Sequence, residues 1–75
     1  MTVSTMAGQI NITLNGEARR APAGASIAQL VEDIGLNPAK VAVERNLEIV
    51  PKSLHGATPV AEGDRIELVQ FVGGG

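Results

Sequence analysis

Polar and apolar residues alternate through Gln9-Ile10-Asn11-Ile12-Thr13-Leu14, the period of a strand with one buried face. Asn15-Gly16 follows, the dipeptide best suited to the positive φ angles of a type I′ hairpin turn. A second short strand, about Glu17 to Ala21, should pair back on the first. It is weakly apolar and carries Arg19 and Arg20, which suits an exposed edge and reads as solubilising rather than phosphate-binding. Pro22-Ala23-Gly24 breaks it. The period then changes: Ile27, Leu30, Val31 and Ile34 fall on one stripe of a helix. Ser26 with Gln29 three residues later forms a capping box at its start. Gly35 supplies a left-handed stop, over which Leu36 can fold back on Val31. A helix of about two turns is too short to stand alone in water, so its stripe must pack on the sheet.

Asn37-Pro38 makes a turn, after which Val41 and Val43 alternate with Ala42 and Glu44 as a third strand. Arg45-Asn46-Leu47 reads as a turn, and Glu48-Ile49-Val50 as a short fourth strand stopped by Pro51. Residues 52–60 carry no regular period and are expected to be irregular. Glu62-Gly63-Asp64 is a tight turn, and Arg65 to Val72 is the last and most apolar strand. A hairpin, one helix and further strands predict a two-layer α+β domain. The arrangement expected is a β-grasp: a mixed sheet of four to five strands, one helix across it, and the last strand central beside the first. In that last strand Ile66 and Leu68 share the face under the helix, while Glu67, Val69 and Phe71 share the other. Nothing in a two-layer domain covers the second face, so Val69 and Phe71 are candidate docking residues.

Composition narrows the function classes. Seventy-five residues make one domain at most. It divides into a disordered leader at 1–8, the folded domain at 9–72 and a flexible glycine tail at 73–75. Met6 is a second candidate start. There is no Cys, which excludes disulfides and thiolate metal sites, and no metal site is assigned. Asp and Glu outnumber Lys and Arg by 8 to 6, and one aromatic residue is present. Neither a basic stripe nor a stacking platform for nucleic acid is available. The first residues do not read as a signal peptide, and no stretch is long enough to span a membrane. A cytoplasmic protein is expected. His55, the only His, lies in the irregular segment with no nucleophile evident beside it. It reads as a solvated loop residue, and no catalytic residue is assigned. Glu62, Asp64 and Glu67 offer too few ligands for calcium, and turn chemistry accounts for the first two.

The remaining feature is Gly73-Gly74-Gly75. A terminal carboxylate becomes an electrophile once activated, for example as an acyl-adenylate. To reach a buried nucleotide it must travel on a thin chain, and glycine has no Cβ to clash with a narrow channel. Together "NGE" at 15–17, "VAVERNLEIVPKS" at 41–53, "EGDRIELVQFVGGG" at 62–75 and the short helix between resemble the ubiquitin-like sulfur carriers. Within them the chain is most similar to the ThiS family, the sulfur carriers of thiamin biosynthesis, over roughly residues 9–75.

That resemblance implies a co-substrate rather than an enzyme, with no bound cofactor. A ThiF-type, E1-like adenylyltransferase would use MgATP to adenylate the carboxylate of Gly75. A cysteine desulfurase persulfide would supply the sulfur, and the resulting thiocarboxylate would pass it to a ThiG-type thiazole synthase. Gly73 and Gly74 would thread the tail. Val69, Phe71 and Val72 would dock the partners, an assignment that comes from strand alternation. The nearest alternative is a molybdopterin-synthase small subunit with the same tail chemistry. A protein-conjugating modifier, with Lys40 or Lys52 as acceptors, is more distant. A plain β-grasp binding module is the alternative from a different class.

Overall fold

The computed structural model describes residues 8–70. Five strands form one sheet: β1 (Gln9–Leu14), β2 (Glu17–Pro22), β3 (Val41–Arg45), β4 (Glu48–Val50) and β5 (Arg65–Gln70), in the order β2-β1-β5-β3-β4. The helix α1 (Ile27–Asp33) connects β2 to the second half of the sheet. β1 and β5 are parallel and adjacent, and the other pairs are antiparallel. This is the β-grasp arrangement expected from the order of elements, with the last strand central.

Local chemistry explains each element. Asn15 (φ 49°) and Gly16 (φ 85°) both take positive φ, and Leu14 pairs with Glu17 across them. β2 is an outer strand, and Arg19 and Arg20 on it are exposed. It runs one residue further than the pattern suggested, to Pro22, which an edge tolerates because its missing N–H faces no neighbour. At the start of α1 the Ser26 hydroxyl accepts from the Gln29 N–H (3.1 Å) and the Gln29 side chain accepts from the Ser26 N–H (2.9 Å). At its end Leu36 N–H donates to Val31 O (3.1 Å) and Gly35 N–H to Glu32 O (2.9 Å), with Gly35 at φ 91°. Those two bonds make the Schellman stop.

One face of the sheet is covered. Ile27, Leu30 and Val31 of α1 pack with Ile12, Val41, Val43, Ile66 and Leu68, joined by Ala21 and Val60. Full burial of each large side chain is worth about 1.5–3 kcal/mol. The stripe read from the sequence and the alternation in β3 and β5 therefore meet in one core.

Two segments differ from the sequence reading. Arg45 belongs to β3, and the turn is the pair Asn46 (φ 53°) and Leu47 (φ 72°). A second type I′ geometry thus has Leu where Gly is usual, at a steric cost of about 1–2 kcal/mol. Asn46 holds it: its N–H donates to Arg65 O (2.8 Å), its side-chain oxygen accepts from Arg65 N–H (2.9 Å), and its side-chain amide donates to Asp64 (3.1 Å). Residues 52–60 are more ordered than a patternless stretch suggests. They begin with a 3₁₀ turn at Lys52–Leu54 and are laced to the start of α1, with Ile27 N–H donating to Thr58 O (2.9 Å) and Val60 N–H to Ala25 O (2.8 Å).

Candidate functional site: the last strand and the open face of the sheet

β5 ends at Gln70, five residues before the end of the sequence, so the site begins with how this strand is held. It is held on both sides. Toward β3, five residue pairs run from Val41–Gln70 to Arg45–Ile66. Toward β1 the ladder covers only Thr13–Arg65 and Leu14–Ile66. Beyond it Asn15 continues in place of a strand: its N–H donates to Ile66 O (2.9 Å) and its side-chain oxygen accepts from Leu68 N–H (2.8 Å). Asn15 is therefore both a turn residue and a ladder partner, a role that the Asn-Gly signal does not announce.

The two faces of β5 separate as the alternation predicts. Ile66 is 0 % exposed and Leu68 is buried, whereas Val69 is 62 % exposed and Glu67 is open to solvent. Register places Ala42 opposite Val69, Glu44 opposite Glu67, and Ile49 opposite Glu44. These five residues and Val43 line a shallow depression of ≈ 90 Å³. Ile49, at 65 % exposed, is an apolar member of this face that the sequence reading left as an ordinary strand residue. Only the register, which sets Ile49 beside Glu44, reveals it. Of the docking residues read from the sequence, Val69 lies here. Phe71 and Val72, and the tail residues Gly73, Gly74 and Gly75, lie outside the described residues.

Other polar candidates have structural work. His55 is not a solvated loop residue: it is 4 % exposed, with Nε2 2.9 Å from Val50 O. The carbonyl can only accept, so Nε2 carries the hydrogen. The His55 carbonyl also accepts from Ala28 N–H (3.0 Å), tying this segment to α1. Glu62 accepts from Asn11 N–H (2.9 Å). Asp64, also buried, accepts from Ala61 N–H (2.9 Å) and lies 3.7 Å from Arg45. Both carboxylates shape the turn before β5. Lys52 donates to Ala39 O (2.6 Å), and Lys40 is exposed. Among the described residues no group of three or more His, Cys, Asp or Glu is placed to hold a metal ion, and no helix is long and apolar enough to cross a membrane.

A small sheet with a covered face, an open face and a central last strand is the geometry with which known proteins can be compared. The sequence profile of the ThiS family matches residues 12–75. The chain is 46 % identical over 66 residues to a thiazole synthase of Paramagnetospirillum magneticum, covering 88 % of this chain and 20 % of that protein. It therefore spans about a fifth of that relative's length. It is 32 % identical to the sulfur carrier protein ThiS of Escherichia coli, covering 88 % of this chain and all of that protein (100 %). The crystal structure of a thiamine biosynthesis protein (ThiS) from Geobacter metallireducens superposes with a TM-score of 0.74 at 29 % identity, covering 88 % of this chain and 100 % of that one. With a family match over most of its length and a carrier of its own size among its relatives, this chain belongs to the ThiS family.

Proposed function

We propose that this protein is a sulfur carrier for thiazole synthesis in thiamin biosynthesis, with the Gly75 carboxylate as the group that is activated and loaded. The observation that carries the reading is the family match, which runs through Gly75 and so includes the glycine tail beyond the central strand. A carboxylate oxygen of Gly75 attacks the α-phosphorus of MgATP on a ThiF-type adenylyltransferase, and pyrophosphate leaves. The terminal sulfur of a persulfide, formed by a cysteine desulfurase, attacks the acyl carbon of the adenylate, and AMP leaves. A thiol then reduces the resulting acyl disulfide, releasing the thiocarboxylate. A ThiG-type thiazole synthase takes the sulfur, and an oxygen from water or from the acceptor regenerates the carboxylate.

In this reading the chain itself does no chemistry. Gly73 and Gly74 offer a backbone without side chains to the enzyme channel. Val69, with Phe71 and Val72 further along, gives the partners an apolar hold. The similarity to a segment of a thiazole synthase favours the thiazole acceptor over the molybdopterin one. The adenylylation step uses MgATP, and the proposed setting is the cytoplasm.

Intact-mass spectrometry tests the proposal. The protein is incubated with the adenylyltransferase, MgATP, a persulfide donor and a thiol. The expected result is the mass gain of one oxygen exchanged for sulfur, absent when Gly75 is deleted. No gain with an enzyme active on its own carrier, or a gain that survives the deletion, would overturn the reading.

A further inference from the structure

The two sides of β5 are tied in different ways. Toward β3 the register runs on to Val41–Gln70. Toward β1 it stops at Leu14–Ile66, because the chain turns away there at Asn15-Gly16. Leu68 lies two residues beyond that point, and its N–H donates to the Asn15 side-chain oxygen (2.8 Å). Among the described residues no bond from the β1 side reaches further along β5. Asn15 therefore meets two separate demands. Its φ is 49°, in the region that Gly, Asn and Asp tolerate best. Its side chain also brings an acceptor to the last strand. Glycine would satisfy the first demand alone, since Gly-Gly forms the same kind of turn. The turn accounts for the backbone of Asn15 and leaves the side-chain bond to Leu68 as a second, separable feature.

We propose that Asn15 is a positioning residue for the adenylation of Gly75, acting through Leu68. This rests on the sulfur-carrier reading and adds to it a residue from the opposite end of the domain. Five residues follow Gln70, and their terminal carboxylate must meet the α-phosphorus in line, where a small misplacement is costly. Glycines impose little direction of their own, so the direction comes from the strand they follow. β3 ties that strand on one side and the Asn15 oxygen ties it on the other. Asn15 is exposed, so when its side chain is removed water can satisfy the Leu68 N–H. The strand is then solvated but untied from the hairpin. Because the carrier is the substrate of this step, position and stability separate in the kinetics. A smaller folded fraction lowers the concentration of competent substrate and raises KM, and saturation restores the rate. A misdirected tail slows the saturated complex itself and lowers kcat.

The test is pyrophosphate exchange on a ThiF-type adenylyltransferase at varied carrier concentration, for the wild-type chain, Asn15→Gly and Asn15→Asp. Amide hydrogen exchange of each carrier is measured beside it. Glycine keeps the turn and removes the acceptor, whereas aspartate keeps both. For Asn15→Gly the expected result is a kcat at least about fivefold lower, with KM changed by less than about twofold. The Leu68 N–H should exchange about tenfold faster than in the wild-type chain. Asn15→Asp should restore both the kcat and the slow exchange. If Asn15→Gly does not fold, Asn15→Ser, whose hydroxyl falls one atom short of the amide oxygen, is measured in the same way. An unchanged kcat with a raised KM would overturn the proposal and leave Asn15 a stabilising residue only. So would an Asn15→Asp chain as slow as Asn15→Gly, because the acceptor would then not be the group that matters. Failure of the wild-type chain to be adenylated by an enzyme active on its own carrier would remove the sulfur-carrier reading itself, and this inference with it.

Discussion

The two faces of the sheet obey different rules. On the covered face, Ile12, Val41, Val43, Ile66 and Leu68 meet the apolar stripe of α1, and each side chain is accounted for by the core it fills. On the open face, Val69 and Ile49 are more than half exposed, and Glu44 and Glu67 confront each other with no ion pair among the described residues. The same strands build both, one residue apart. Folding selects the first set. The second set contributes nothing to the core.

That contrast can be broken or sharpened by substitutions along one strand and beside it. Ile66→Ala removes a fully buried side chain from the centre of the core and should cost about 2–5 kcal/mol. A domain of this size has roughly 3–5 kcal/mol to lose, so urea denaturation should find the variant largely unfolded. His55→Ala should cost less, about 2 kcal/mol, by removing a buried ring and its hydrogen bond to Val50 O. Its urea midpoint should fall while the native circular-dichroism spectrum persists. Val69→Ser, three residues along from Ile66 but on the other face, should shift stability by no more than about 0.5 kcal/mol. A loss from Val69→Ser as large as that from Ile66→Ala would mean that the open face stabilises the fold after all.

The sequence made much of the fold readable because its strongest signals are local. Asn15-Gly16, the Ser26–Gln29 capping box and the Gly35 stop each need only a few neighbouring residues, and each appears in the structure as read. The faces of β5 were readable for the same reason, since alternation assigns Ile66 and Val69 without knowledge of any partner strand. What escaped depends on distant pairing. His55 is buried because residues 52–60 are laced to the start of α1, and no pattern within that segment records this. The exposed role of Ile49 and the confrontation of Glu44 with Glu67 exist only through the register of β3 with β4 and β5. The second ladder bond of Asn15 joins residues 53 positions apart. The glycine tail lies outside the described residues, and its reading rests on composition, position and family.

The central place of β5 also governs how the molecule comes into being. Its pairing with β1 joins the beginning of the domain to its last strand, and its pairing with β3 completes the core. Contacts of such sequence separation require a long loop to close before they repay the entropy, which makes them slow to form. Until β5 arrives, α1 has no complete surface to lie on. Assembly of the domain and positioning of the segment that follows Gln70 are thus one event. A chain that has not finished folding therefore lacks both the core and the open face, which depend on the same last strand.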